Sequence, residues 1–195
     1  MTQGHQARQQ KIKQSVDSRI EQAQIEKALL LVITGNGKGK STSGYGMITR
    51  AAGHGQKCAV AQFIKGDWEC GERNLLQQVG VEFHVMATGF TWETQNKTTD
   101  TEAAQKIWQQ CLRILRDSSY DVVLLDELTY MITFGYIALD EVLLALEKRP
   151  TNQSIIITGR AAHRALIEIA DTVSEVRNVK HAFDAGIKIR KGIDW

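Results

Sequence analysis

The chain reads Leu31-Val32-Ile33-Thr34-Gly35-Asn36-Gly37-Lys38-Gly39-Lys40-Ser41-Thr42 where an apolar strand, a glycine-rich turn and a helix follow one another. Glycines allow the backbone to turn tightly and to bring several N–H groups toward one anion. The N-terminus of the following helix adds a partial positive charge. Lys40 adds a full charge, and Ser41 offers a hydroxyl to Mg²⁺. The stretch therefore predicts a phosphate-binding loop for a nucleoside triphosphate over residues 35–42.

This loop departs from the usual pattern G-x-x-x-x-G-K-[ST] in two ways. Only three residues separate Gly35 from Gly39, and Lys38 adds a second lysine inside the loop. The alternative interpretation is a glycine-rich strand-to-helix turn with incidental basic residues. The strand before the turn and the helix after it favour the phosphate loop, but the short spacing leaves open which phosphate lies where.

Outward from the loop, apolar strand-like segments alternate with helical patterns along the rest of the chain. The predicted strands are 29–33, 58–63, 81–86, 122–125, 155–157 and 173–176. The predicted helices are 41–53, 72–78, 101–116, 139–147 and 161–170. Near-continuous apolar strands joined by helices are typical of a parallel sheet with both faces covered. We therefore predict an α/β fold with a mainly parallel central sheet, and we expect the third strand near an edge because it alternates polar and apolar residues.

The N-terminal segment differs from this pattern. Residues 6–26 read as a polar helix on which Ile12, Val16 and Ile20 form a narrow apolar stripe. The stripe fits a solvated helix resting on the domain, or an arm that packs over a site or a partner subunit. We expect an N-terminal arm over residues 1–26 and a single phosphate-loop domain over residues 27–195.

Composition excludes several classes of protein. The chain has 195 residues and a net charge of +2, so it lacks the basic excess of most nucleic-acid binders. No apolar stretch reaches the roughly 20 residues of a membrane span, and the N-terminus lacks the apolar region of a signal peptide. The chain has an odd number of cysteines, Cys58, Cys70 and Cys111, and no CxxC motif, which argues against a disulfide framework and a structural zinc site. We expect a cytoplasmic protein without nucleic-acid or membrane partners.

An acidic pair, Asp126 and Glu127, ends the fourth strand. Acids at such strand ends hold or orient Mg²⁺ in phosphate-loop proteins, and Mg²⁺ takes only one or two carboxylates. Because adjacent strand residues face opposite sides, we expect the two carboxylates to have different tasks. Taken alone, the pair would be two solvated acids, but the phosphate loop favours a metal-binding role.

Two aromatic residues, Phe90 and Trp92, occupy a polar loop after the third strand. Either they pack onto the domain, or they line a ligand site. The stretches around them make the sequence recognisable. They are 34–42, 62–66 (Gln-Phe-Ile-Lys-Gly), 71–75 (Gly-Glu-Arg-Asn-Leu), 87–96, 125–130 (Leu-Asp-Glu-Leu-Thr-Tyr), 156–160 (Ile-Ile-Thr-Gly-Arg) and 180–186 (Lys-His-Ala-Phe-Asp-Ala-Gly).

In this order, these stretches closely resemble the bacterial ATP:corrinoid adenosyltransferases of the CobA/BtuR type, over nearly the whole chain. The resemblance implies a RecA-like phosphate-loop fold and a homodimer. It also implies transfer of the 5′-deoxyadenosyl group of ATP to Co(I) of a corrinoid such as cobalamin, with release of triphosphate. An electron-donor flavoprotein would supply the electron that reduces the cobalt to Co(I). ATP would lie in the loop in reversed orientation.

The resemblance also assigns residues. The triphosphate would be held by the loop residues Gly35, Asn36, Gly37, Lys38, Gly39, Lys40, Ser41 and Thr42. Ser41 stands where the family commonly has threonine, and the hydroxyl is kept. Ser41 and Glu127 would contact Mg²⁺. Lys40 would stabilise the leaving group, while Phe90 and Trp92 would line the corrin site and expel the lower axial ligand of Co(II).

Other functions remain as alternatives. An ATPase or helicase-like relative would share the loop and the acidic pair but would release ADP and phosphate. A small-molecule kinase would transfer the γ-phosphoryl group, and a nucleotide-responsive corrinoid carrier would catalyse nothing. The sequence leaves the role of Arg160 open.

Overall fold

The computed structural model describes residues 3–64, 69–86 and 97–194. A six-stranded sheet forms the centre of this part of the chain, in the order β3-β2-β4-β5-β1-β6. Every pairing between neighbouring strands is parallel. The predicted RecA-like α/β fold is confirmed, and the third strand does lie at an edge of the sheet.

The strands and helices follow the predicted order. The strands are β1 Leu30–Thr34, β2 Cys58–Gln62, β3 Glu82–Val85, β4 Val122–Asp126, β5 Ser154–Thr158 and β6 Thr172–Glu175. The helices are α1 Gln3–Gln22, α2 Lys40–Gly53, α3 Gly71–Gln78, α4 Lys97–Arg116, α5 Leu128–Thr133, α6 Leu139–Glu147 and α7 Arg164–Ile169. A 3₁₀ turn, Phe183–Ala185, lies in the C-terminal segment.

The sheet is covered on both faces, as the apolar strands require. Leu124 of β4 and Ile156 of β5 pack with side chains of α2 and α3 on one face. Their neighbours Leu125 and Ile157 point to the opposite face and join the core under α4 to α7. Successive residues of a strand alternate between the faces, so a strand buried on both sides must be apolar throughout.

Four helices differ from the prediction, and one of them, α4, begins at Lys97 rather than at residue 101. Helix α1 ends at Gln22 rather than at residue 26, and its residues 4–22 are exposed, so no packing extends it. Helix α5 was not predicted, because its six residues are too few for a periodic pattern. Helix α7 begins only at Arg164, since Gly159 and Ala161 have positive φ, which a helix does not allow.

The three cysteines are buried, and none of them takes part in a disulfide. Within the described residues, no helix is long and apolar enough to cross a membrane.

Candidate active site

The glycine-rich loop between β1 and α2 has the backbone geometry that its glycines permit. Gly35 and Gly39 have φ of 103° and 119°, a region that side chains strongly disfavour. Helix α2 begins at Lys40, directly after the left-handed turn at Gly39. The first N–H groups of a helix have no partner within it, so the loop and the start of α2 could hold an anion.

A pocket of about 540 Å³ lies over this loop. The loop residues Asn36, Gly37, Lys38, Gly39, Lys40, Ser41 and Thr42 line it, whereas Gly35 does not. Glu127 and Arg160, which follow β4 and β5, line the pocket too. Residues of the C-terminal segment beyond β6 also line it, among them His181 and Asp194. Because β6 and β5 flank β1 on opposite sides, the loop lies between these two groups.

Lys40 is the buried cation of the pocket, with only 6% of its surface exposed. Its ammonium donates a hydrogen bond of 2.8 Å to the carbonyl oxygen of Gly37, which folds the side chain back over the loop. Burial lowers the pKa of Lys40, and the nearby Arg160 acts in the same direction, against the opposing effect of Glu127. A bound polyphosphate would oppose this shift, because its negative charge stabilises the protonated ammonium of Lys40.

The two carboxylates of the acidic pair have different environments. Asp126 is buried and accepts a 2.7 Å hydrogen bond from the hydroxyl of Thr158. Glu127 lines the pocket, and its backbone is left-handed, with φ of 62°. A non-glycine residue in this region costs about 1 kcal/mol or more and often marks a functional position. The turn directs Glu127, and not Asp126, into the pocket.

The C-terminal segment closes the side of the pocket next to β6. The N–H of Gly37 donates a 2.7 Å hydrogen bond to the carbonyl of Val176, just after β6. Farther along, the Asp194 carboxylate pairs with the Lys38 ammonium at 2.7 Å. The segment therefore contacts the phosphate loop at two places.

Sequence reasoning missed several pocket residues. The sequence leaves Arg160 without a role, names Glu72 and His181 only within stretches that carry the resemblance, and gives no signal for Asp194. The segment 180–186 had been singled out only for its resemblance, and nothing in its composition indicates that it approaches residues 36–42. The predicted corrin-site residues Phe90 and Trp92 lie outside the described residues.

Comparison with known proteins shows which family this chain belongs to. The model of the family "ATP:corrinoid adenosyltransferase BtuR/CobO/CobP" matches residues 26–195. A corrinoid adenosyltransferase of Escherichia coli K12 is 59% identical over 191 residues, which are 98% of this chain and 97% of the relative. Corrinoid adenosyltransferase CobA of Salmonella typhimurium LT2 is 57% identical over 98% of this chain and 97% of the relative. A corrinoid adenosyltransferase of Pseudomonas aeruginosa is 46% identical over 99% of this chain and 96% of the relative. The chain belongs to the ATP:corrinoid adenosyltransferase family BtuR/CobO/CobP.

Proposed function

We propose that this ATP:corrinoid adenosyltransferase uses the pocket over residues 35–42 to hold the triphosphate of ATP while the adenosyl group is transferred. One observation supports the proposal. In a chain of this family, the pocket brings Glu127 together with Lys40 and Ser41 of the phosphate loop. No residue of the chain has to act as nucleophile, because the corrinoid supplies it.

In the reaction, the filled orbital of Co(I) attacks C5′ of ATP as the bond from C5′ to its phosphate oxygen breaks. The cobalt–carbon bond forms, and inorganic triphosphate leaves with the electron pair of the broken bond. The protein has to align the two reactants and stabilise negative charge on the leaving group. Lys40 and the N–H groups at the start of α2 suit the second task, and Lys38 and Arg160 add positive charge at the two sides of the loop.

The donor atoms of the pocket fit Mg²⁺. Glu127 offers a carboxylate and Ser41 a hydroxyl, and both line the pocket with the loop. Hard oxygen donors together with phosphate oxygens are what Mg²⁺ prefers. We assign Ser41 and Glu127 as its protein ligands, with Asp126 behind them. The ion would neutralise part of the triphosphate charge when bound.

The orientation of ATP and the corrin site rest on the resemblance. ATP would lie reversed compared with phosphate-loop hydrolases, and Phe90 and Trp92 would cover the lower face of the corrin and ease reduction of Co(II). Replacing Trp92 by alanine should then slow the reaction that starts from Co(II) far more than the one that starts from Co(I). Equal losses in the two assays would rule out this role.

We also propose a homodimer in the cytoplasm that receives electrons from a flavoprotein. Exposed apolar side chains support an association surface, namely Ile12, Val16 and Ile20 on α1 and Phe183 and Ile187 in the C-terminal segment. Three buried cysteines that form no disulfide fit a reducing compartment. Sedimentation analysis tests the dimer, and a monomer at micromolar concentration would refute it.

An anaerobic incubation with Mg-ATP and chemically reduced cob(I)alamin tests the reaction. We expect a light-sensitive alkylcobalt absorbance spectrum and one triphosphate for each corrinoid converted. Lys40→Met should reduce the rate by at least about 100-fold, by analogy with the loss of one transition-state donor. Lys148→Met, at an exposed lysine after α6, is the matched control and should keep the wild-type rate. ADP and phosphate with an unchanged corrin spectrum would instead indicate an ATPase.

A further inference from the structure

Thr158 occupies a central position that the proposed function does not use. It is the last residue of β5, the strand between β4 and β1. Its side chain is fully buried. In the sheet, β5 therefore lies between β4, which leads to the acidic pair, and β1, which leads to the phosphate loop. A buried hydroxyl must be hydrogen-bonded, so its partners identify its role.

Both hydrogen-bonding functions of the Thr158 hydroxyl are directed to the acidic pair. The hydroxyl donates to the Asp126 carboxylate at 2.7 Å. It also accepts from the backbone N–H of Glu127 at 2.9 Å. A hydroxyl has a single proton, and an N–H can only donate, so the two bonds fix each other's direction. The side chain of Thr158 therefore holds one carboxylate by its oxygen and the next residue by its backbone.

The second bond acts at the strained residue. Glu127 has the left-handed φ of 62°, and α5 starts at the following residue. Such a conformation persists only where the surroundings hold it. The bond from the N–H of Glu127 to Thr158 is a contact of this kind, and it lies at the point where the backbone turns the Glu127 side chain into the pocket.

The methyl group of Thr158 faces the helix that begins at the phosphate loop. A Cβ added to Gly44 of α2 would lie 3.2 Å from Cγ2 of Thr158, so the methyl group and the helix backbone are close. One side chain thus contacts the acidic pair through its hydroxyl and the phosphate-loop helix through its methyl group.

We propose that Thr158 is a positioning residue for the magnesium-triphosphate end of the active site. Its hydroxyl orients Asp126 and holds the turn at Glu127, so that the Glu127 carboxylate reaches the metal that accompanies ATP. This proposal rests on the proposed role of Glu127 as a magnesium ligand. Thr158 is fully buried and does not line the pocket, so we expect its effect in the metal dependence of nucleotide binding.

Calorimetric titration with ATP, in the absence of corrinoid, measures this effect without turnover. Wild-type protein is titrated once with Mg²⁺ and once with a chelator, and the ratio of the two dissociation constants gives the tightening due to the metal. Thr158→Val keeps the methyl packing and removes the hydroxyl. We expect it to reduce the tightening about tenfold, the worth of one hydrogen bond to a charged group, and to leave metal-free binding unchanged. Thr158→Ser keeps the hydroxyl and should retain most of the tightening.

Each outcome decides the proposal. Wild-type tightening in Thr158→Val, or an equal loss in Thr158→Ser, overturns the positioning role. If the valine variant does not fold, Thr158→Ser and Thr158→Ala provide the comparison, since both lack the methyl group and only serine keeps the hydroxyl. Wild-type protein without any tightening by Mg²⁺ would refute the magnesium role of Glu127 and the present inference together. Wild-type tightening with an unaffected valine variant would refute the role of Thr158 alone.

Discussion

Replacing Gly37 by alanine places a methyl group against the backbone that leaves β6. The added Cβ would lie 2.6 Å from the carbonyl oxygen of Arg177 and 2.9 Å from a methyl group of Val176. Ordinary contact begins at 3.4 Å, so the crossing segment must retreat by about 0.8 Å. The φ of Gly37 is not positive, so crowding alone causes the penalty.

The size of the effect follows from the contacts that this retreat breaks. The 2.7 Å hydrogen bond from Gly37 to Val176 would lengthen to about 3.5 Å, the limit of a useful bond. Its loss costs about 1 kcal/mol, and the overpacking adds about 1 to 3 kcal/mol. We expect Gly37→Ala to lower the free energy of unfolding by about 2 to 4 kcal/mol, and to weaken ATP binding because the loop is displaced.

Urea unfolding followed by circular dichroism measures the change in stability. Gly46→Ala is the matched control, because Gly46 lies inside α2, has no positive φ and has nothing within 4 Å of the added Cβ. Alanine should stabilise this helix by about 0.5 to 1 kcal/mol. If Gly37→Ala were as stable as Gly46→Ala, the close crossing of the C-terminal segment over the phosphate loop would be refuted.

Three further predictions concern charged groups. Burial lowers the pKa of Lys40, and a bound triphosphate should raise it, so ATP binding should take up a proton at alkaline pH. Calorimetry in buffers of different ionisation enthalpy measures the number of protons taken up, and equal uptake by Lys40→Arg would exclude Lys40 as their source. Burial of Glu82 is outweighed by hydrogen bonds, the strongest from Tyr120, so its folded-state pKa is lowered. Its contribution to stability is therefore present above the unfolded-state pKa and lost as the pH falls through the lowered folded-state pKa, so Glu82→Gln should cost about 1 kcal/mol near pH 7 and progressively less in acid; a pH-independent cost in urea unfolding would contradict this. Asp194→Asn removes a carboxylate from the pocket and releases Lys38, so inorganic triphosphate should bind about two- to fivefold more tightly at low salt. Weaker binding of triphosphate by this variant would show that Asp194 assists anion binding instead.

Local patterns were sufficient to predict the elements of the site. A strand, a glycine turn and a helix carrying Lys40 form a phosphate loop wherever the strand lies in the sheet, because the turn depends on the φ freedom of its own glycines. The end of β4 was predicted from a second local pattern, because its apolar run stops at Asp126. Strand alternation predicts different environments for Asp126 and Glu127, but Glu127 lies just beyond β4, and the left-handed turn that directs it into the pocket leaves no trace in the sequence.

Contacts between distant segments could not be predicted in this way. Thr158 and Arg160 look like any strand end until β5 is known to lie between β4 and β1. Asp194 follows Lys38 by more than 150 residues, and no local pattern records their ion pair. Helix α5 was missed because its few residues are helical through packing rather than through periodicity.

The amino-acid sequence by itself determined the α/β class, the phosphate loop over residues 35–42, the acidic pair and, through resemblance, the family. Those features depend on short-range periodicity and backbone freedom, which neighbouring residues specify. Only the tertiary structure decided that Thr158 joins the acidic pair to the phosphate-loop helix and that the C-terminal segment covers the loop. Strand order and segment crossing result from burying apolar surface over the whole chain, and that condition is satisfied only when the complete fold has formed.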